Sequence, residues 1–351
     1  MKRLLPAIVT IALVGALAST ATVETAGSAT RNVTLRLVTH DSFAVSESVL
    51  ARFTKRTGIK VRILNSGDAG AALNQAILTK DHPLGDVFFG VDNTFLGRAL
   101  DAGIFRPHTA KGLDEVPAEY QLDSQHRLTP IDTGDVCINY DKRWFADEGL
   151  AVPSSLDDLT EPAYRGLLVV EDPATSSPGL AFALATIARY GDGWRDYWTK
   201  LRDNDVTVVS GWEQAYEGEF TQGGNKGTHP LVVSYASSPP AAVYFSKPRP
   251  KTTPVGTMLD SCFRQIEFAG VLEGTEHEAA AGRLVDFMLS PAFQADLPLR
   301  MFVFPVRTGT PLPKVFEKFA EVPSAPLSLP AEQINRNREQ WIQQWRATVL
   351  G

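Results

Sequence analysis

The stretch that most restricts the fold is Val87-Phe88-Phe89-Gly90-Val91, five consecutive positions without a polar side chain. A strand with one wetted face alternates apolar and polar residues, so an unbroken apolar run belongs to a strand covered on both faces, as in a parallel sheet between helices. The preceding sequence supplies the rest of such a unit. Val33 to Val38 reads as a strand, Val45, Val49, Leu50 and Phe53 recur at helical spacing, and Gly58 supplies a stop. Lys60 to Leu64 follows as a second strand, then Leu73, Ala76 and Ile77 form a helical stripe closed by Asp81-His82-Pro83. The order is βαβαβ, for which right-handed crossovers are expected.

The alternation returns near residue 165, with strands at Leu167-Leu168-Val169-Val170, Val206-Thr207-Val208-Val209 and Leu231-Val232-Val233-Ser234, and a helix from Pro178 to about Tyr190. Two α/β units result, each a mainly parallel sheet flanked by helices. Extended stretches at 130–140 and between Lys251 and Glu267 are suited to cross between them. The expected division is a leader at 1–29, a first lobe at 30–131, a second at 132–251, a return to the first at 252–305 and a helical segment at 306–351. Within the last, Ile334, Trp341 and Trp345 define an amphipathic helix over Ala331 to Thr348 that packs on the outside.

Lys2 and Arg3 precede an apolar run from Leu4 to Leu17 and then small residues, the pattern of a cleavable export signal; candidate cleavage points follow Ala18 or lie near Ser28 and Ala29. The run is shorter than the roughly 18 residues of a membrane span. A free periplasmic or secreted form, monomeric, is expected. The formal net charge of −6 argues against a nucleic-acid partner, which calls for a basic face. With two cysteines the chain is no disulfide-built scaffold; Cys137 and Cys262 either pair or lie as separate buried thiols.

In open parallel sheets ligands bind beyond the carboxyl ends of the strands. That rule selects His40-Asp41-Ser42-Phe43, the Ser66 to Gly70 loop and Asp92-Asn93-Thr94 in the first unit. In the second it selects Asp172 to Gly179, Ser210-Gly211-Trp212 and Tyr235-Ala236-Ser237-Ser238-Pro239. These loops hold carboxylates, hydroxyls and two large aromatics, but no lysine or arginine. Asp68 compensates a positive charge, Trp212 and Tyr235 stack on a flat ring, and the serines bond its heteroatoms: a planar organic cation fits. Each residue has a plainer role too. Asp68 also reads as a helix cap, Ser177-Pro178-Gly179 as a helix start, and Trp212 and Tyr235 as core residues. No catalytic residue is assigned, since HExxH, CxxC, GxGxxG, Walker and GxSxG patterns are all missing. The histidines are too scattered for a metal site.

Several of these stretches resemble the periplasmic thiamine-binding proteins of ABC importers, within the larger superfamily of two-lobed receptors that includes ferric-iron and polyamine binders. The matching segments are His40-Asp41-Ser42-Phe43, Gly90-Val91-Asp92-Asn93, Asp172 to Leu180, Val208 to Tyr216, Ser234 to Pro239, Phe287 to Gln294 and Arg338-Glu339-Gln340-Trp341. The resemblance implies a two-lobed periplasmic-binding-protein fold with a cleft between the lobes. It also implies capture of thiamine or its phosphates, delivery to a membrane permease, and no cofactor or metal. Carried over position by position, it implies ligand contacts at Asp68, Ala69, Ser176, Ser177, Trp212, Tyr235, Ala236, Ser237 and Ser238. His40 stands where the family usually has Tyr, a Trp expected near Ala44 to Glu47 is missing, and Phe302 replaces a Trp. The aromatic enclosure is thus altered on three sides.

Two other readings compete. A receptor for ferric iron would use neighbouring tyrosines, and this chain has no adjacent Tyr pair; a polyamine receptor would share the fold. An exported hydrolase on an α/β scaffold is the reading from another class.

Overall fold

In a computed structural model of the chain, residues 33–224 and 227–351 are described. The proposed export signal at 1–29 lies outside them. Ten strands are present among the described residues: β1 (Thr34–Thr39), β2 (Lys60–Asn65), β3 (Val87–Asp92), β4 (Phe105–Arg106), β5 (Thr129–Asp141), β6 (Leu168–Glu171), β7 (Thr207–Val209), β8 (Leu231–Tyr235), β9 (Val255–Leu272) and β10 (Phe304–Pro305). They form one continuous sheet in the order β2-β1-β3-β9-β5-β8-β6-β7, with β10 on β5 and β4 on β9.

Its first half is parallel, β1 pairing β2 and β3; its second half is parallel too, β6 pairing β7 and β8. Between them run β5 and β9, antiparallel to each other and to their neighbours. The stretches expected to cross fall on these two strands. The architecture is α/β, a central sheet flanked by helices, with two halves joined through the long pair.

All six residues of β3 are buried, in keeping with its lack of alternation. Helix Glu47–Thr57 ends at Gly58 in the left-handed conformation (φ 76°). Helix Ser177–Tyr190 lies almost wholly inside, Ser177 to Ile187 all being buried, and it packs on β9 and β6. Its interior position follows from composition, because Leu180 to Ile187 contains no charged residue.

Cys137 and Cys262 form a disulfide between β5 and β9. It sits where their register shifts: Val136 opposes Phe263, but Ile138 opposes Met258, so 259–262 bulge against Cys137. Ser261 Oγ holds the bulge by accepting from Ile138 N at 2.9 Å and donating to Met258 O at 2.7 Å.

Candidate functional site: a cleft beyond the strand ends

The strand-end loops of both halves converge on a cavity of about 510 Å³, within the roughly 300–1,000 Å³ that holds small organic ligands. His40, Asp68, Ala69, Ser177, Trp212, Tyr235 and Ser238 line it. Ser176, Ala236 and Ser237 do not. Ser176 caps its helix by accepting from Gly179 N, Ala236 packs on the disulfide, and Ser237 Oγ is buried without a partner.

Asp68 caps helix Ala69–Leu78, its Oδ1 accepting from Ala69 N at 2.6 Å. Capping does not exhaust it: Oδ1 also accepts from Ser177 N at 3.3 Å, and Oδ2 from Trp212 N at 2.8 Å, both from the other half of the sheet. Gly211 permits this approach, since a Cβ there would lie 2.9 Å from Asp68 Oδ2. Burial pushes the Asp68 carboxyl above its ordinary range, while the Trp212 N–H and nearby His40 pull it back. Asp68 is therefore a link between the halves as much as a wall of the cavity.

Ser177 is similarly engaged. Its hydroxyl donates to Asp92 Oδ2 and accepts from Gln265 Nε2 at 2.8 Å, while Asp92 Oδ1 caps the turn at Thr94 and Phe95. His40 occupies space left by Gly90, which has φ 115° and whose added Cβ would meet the imidazole at 2.8 Å. Its Nε2 lies 3.1 Å from Glu267 Oε1.

The aromatic part of the wall is pre-assembled. Trp212 stacks on Tyr216 (centroids 5.1 Å, interplanar angle 13°), meets Tyr235 edge-on at 6.4 Å and donates from Nε1 to Ser234 Oγ at 2.9 Å. With one indole face on Tyr216, the opposite face is the surface a ring in the cavity can use. Burial, with Glu267 and Asp68 nearby, keeps the Tyr235 phenol protonated.

The cavity also has walls that the loop rule does not reach. Gln265 and Glu267 come from the middle of β9, Glu213, Tyr216 and Glu217 from a single π-helical stretch, Phe245 from the end of helix Pro239–Phe245, and Arg300 and Phe302 from the return segment. Local pattern gave little signal, because in Phe263-Arg264-Gln265-Ile266-Glu267-Phe268 polar and apolar residues do not alternate strictly. Phe302 adopts φ 55°, rare for a bulky residue, and its ring meets Phe245 at 5.5 Å across the cavity mouth. Among the described residues, the carboxylates of Asp68, Glu213, Glu217 and Glu267 face Arg300 and His40 as the cationic candidates on this wall.

Residues 82–331 match the family model of bacterial extracellular solute-binding proteins. The chain belongs to this family. Among relatives of this solute-binding protein is the thiamine-binding periplasmic protein of Brucella suis biovar 1 (strain 1330), 31% identical over 90% of this chain and 92% of that one. The thiamine-binding periplasmic protein of Escherichia coli (strain K12) is 29% identical over 90% and 93%. Among solved structures, a periplasmic thiamin binding protein superposes with a TM-score of 0.78 at 27% identity, over 90% of this chain and 96% of that one. The iron-bound HitA of Pseudomonas aeruginosa shares the two-lobed fold at a TM-score of 0.70 and 20% identity, over 90% and 99%. This solute-binding protein is accordingly a receptor for a small molecule, acts outside the cytoplasm and is not an enzyme.

Proposed function

We propose that the protein captures thiamine in the cleft and delivers it to an ABC permease, as a monomer free in the periplasm or secreted. The observation that carries this reading is the pairing of a stacked Trp212–Tyr216 platform with a carboxylate-rich wall. Thiamine joins a flat aminopyrimidine to a thiazolium with a permanent positive charge. A ring on the indole gains roughly 0.5 to 2 kcal/mol from cation–π attraction, more when desolvated. The carboxylates then balance its charge. Among the described residues one guanidinium, that of Arg300, stands against four carboxylates on the wall, which favours thiamine over its phosphate esters. The names of the relatives point the same way.

The test is to mix the protein separately with thiamine, thiamine phosphates, ferric citrate and spermidine while following tryptophan fluorescence and melting temperature. A ligand held only by the folded state raises stability, by about 2.7 kcal/mol at a hundredfold excess over Kd. Thiamine is expected to give the largest shift. Trp212→Ala should weaken binding by roughly 2 to 4 kcal/mol, about 30- to 1,000-fold. A shift with ferric citrate or spermidine and none with thiamine would reassign the ligand.

A further inference from the structure

Three carboxylates stand side by side across the central strands below the cavity. Asp92 ends β3, Glu267 lies opposite it on β9, and Asp132 lies opposite Glu267 on β5. Side chains opposed in this way share a sheet face, about 4.5–5.5 Å apart at Cβ, and like charges so placed repel. Asp92 is 0%, Asp132 2% and Glu267 6% exposed, so water does little to relieve the repulsion. Asp92 is satisfied by the Thr94, Phe95 and Ser177 donors. The other two have no such set. Among the described residues neither Asp132 nor Glu267 pairs with a lysine or arginine; Glu267 meets His40, and one Asp132 oxygen has no partner at all. Glu267 alone of the three opens onto the cavity.

We infer that Glu267 is the carboxylate that receives the positive charge of the bound solute, and that the solute displaces a proton which Glu267 and Asp132 hold in the empty cleft. The inference rests on the cationic ligand argued above and adds a residue and a proton to it. Two acids in contact with no fixed cation between them retain a proton, because both cannot ionise cheaply. Burial and the neighbouring Asp92 push Glu267 up to about 8, and burial with Glu267 beside it holds Asp132 well above the carboxylate range. Arg300, the permanent cation among the described residues of the cavity wall, is engaged elsewhere, donating to Ser46 Oγ at 2.8 Å and lying 3.8 Å from Asp296, and the groups beside the pair itself supply no permanent positive charge. His40, from the loop after β1, is pushed by burial toward its neutral form; Asp68, from the loop after β2, adds negative charge; Tyr235, from β8, stays a neutral phenol. A solute cation beside Glu267 supplies what the cluster lacks. The Glu267 carboxyl then gives its proton to solvent and remains as carboxylate against the cation, so one proton leaves for each cation that enters.

The direction of the pH dependence follows. Below about pH 8 the empty cleft carries the proton and the filled cleft does not, so affinity strengthens as pH rises and levels off above that value. Titration calorimetry of the full-length protein with thiamine, at pH 7 in two buffers of different ionisation enthalpy, reads the proton directly. The wild type should release close to one proton and bind about 50-fold more tightly at pH 8 than at pH 6. Glu267→Gln, checked by its melting curve, should show buffer-independent enthalpy, a flat pH profile and about 10-fold weaker binding at pH 8. Thiamine binding by the wild type without proton release overturns the inference, whether or not the variant folds. Release that persists in Glu267→Gln overturns it as well, since the proton then comes from another group. No thiamine binding in either buffer overturns the thiamine reading itself, and this inference with it.

Discussion

Asp68 shows how one side chain can serve a helix, a cleft and an interface together. A carboxylate offers several acceptor positions, and three backbone N–H groups from three segments use them: Ala69, Ser177 and Trp212. An Asn at this position keeps one oxygen and turns the other site into a donor, which would face an N–H. Asp68→Asn should therefore retain the helix cap and the Ser177 contact, which share Oδ1, but lose the link to Trp212 on Oδ2, and with it a charge beside the cavity. Hydrogen bonds to charged groups contribute roughly 1.5–3 kcal/mol, so thiamine affinity should fall about 10- to 100-fold. Calorimetry with a parallel melting curve separates the two contributions. Unchanged affinity with a lower melting temperature would leave Asp68 a cap and nothing more.

At the scale of elements, helix Ala331–Val349 acts as an outside strap. Ile334, Arg338, Ile342, Trp345 and Val349 form its buried stripe. Its first turns touch the first half of the sheet: Asn335 donates to Asp101 at 3.1 Å, Arg98 pairs with Glu339 at 2.7 Å, and the Arg338 guanidinium lies over Phe95 at 5.0 Å. Its last turns touch the second half, where Trp345 meets Trp198 edge-to-face at 5.1 Å and Arg202 donates to Thr348 O at 2.9 Å. The surface ion pairs contribute little, typically under about 1 kcal/mol each. The buried indole dominates. Trp345→Ala should lower stability by about 3–5 kcal/mol, read from the denaturant midpoint, with thiamine affinity kept because the residue is remote from the cavity. A midpoint equal to wild type would show that the strap carries no stability.

For the whole molecule, binding should be a closure about β5 and β9. Contacts beside these strands already join the halves, Ala71 N donating to Thr175 O at 3.1 Å and Trp212 N to Asp68. A solute that touches His40 and Glu267 on one side and Trp212 and Tyr235 on the other adds contacts that exist only when the halves meet. It shifts the equilibrium by its differential affinity for that arrangement. The disulfide between β5 and β9 ties the crossing strands to each other, so rotation bends them as a pair. Small-angle scattering should give a smaller radius of gyration with saturating thiamine than without. Identical profiles despite binding verified by calorimetry would replace closure with a fixed groove.

The sequence by itself determined the strand–helix alternation, the double-sided burial of β3 and the outer helix, because each depends on patterns within about twenty residues. It also marked the loops of His40, Asp68, Trp212 and Tyr235, since the ends of parallel strands are where backbone groups and helix starts converge. Tertiary structure decided the rest. That Ser177 and Asp68 engage each other's halves, that Ser176 and Ser237 turn away from the cavity, and that Cys137 meets Cys262 across 125 positions all depend on how distant segments pair. Glu267 illustrates the limit most sharply. Its place in an extended crossing stretch was readable, but its acidity is set by Asp92 and Asp132, brought beside it by the register of three strands far apart in the chain. Local pattern fixes which residues lie on a face; only long-range pairing fixes which charges must share it.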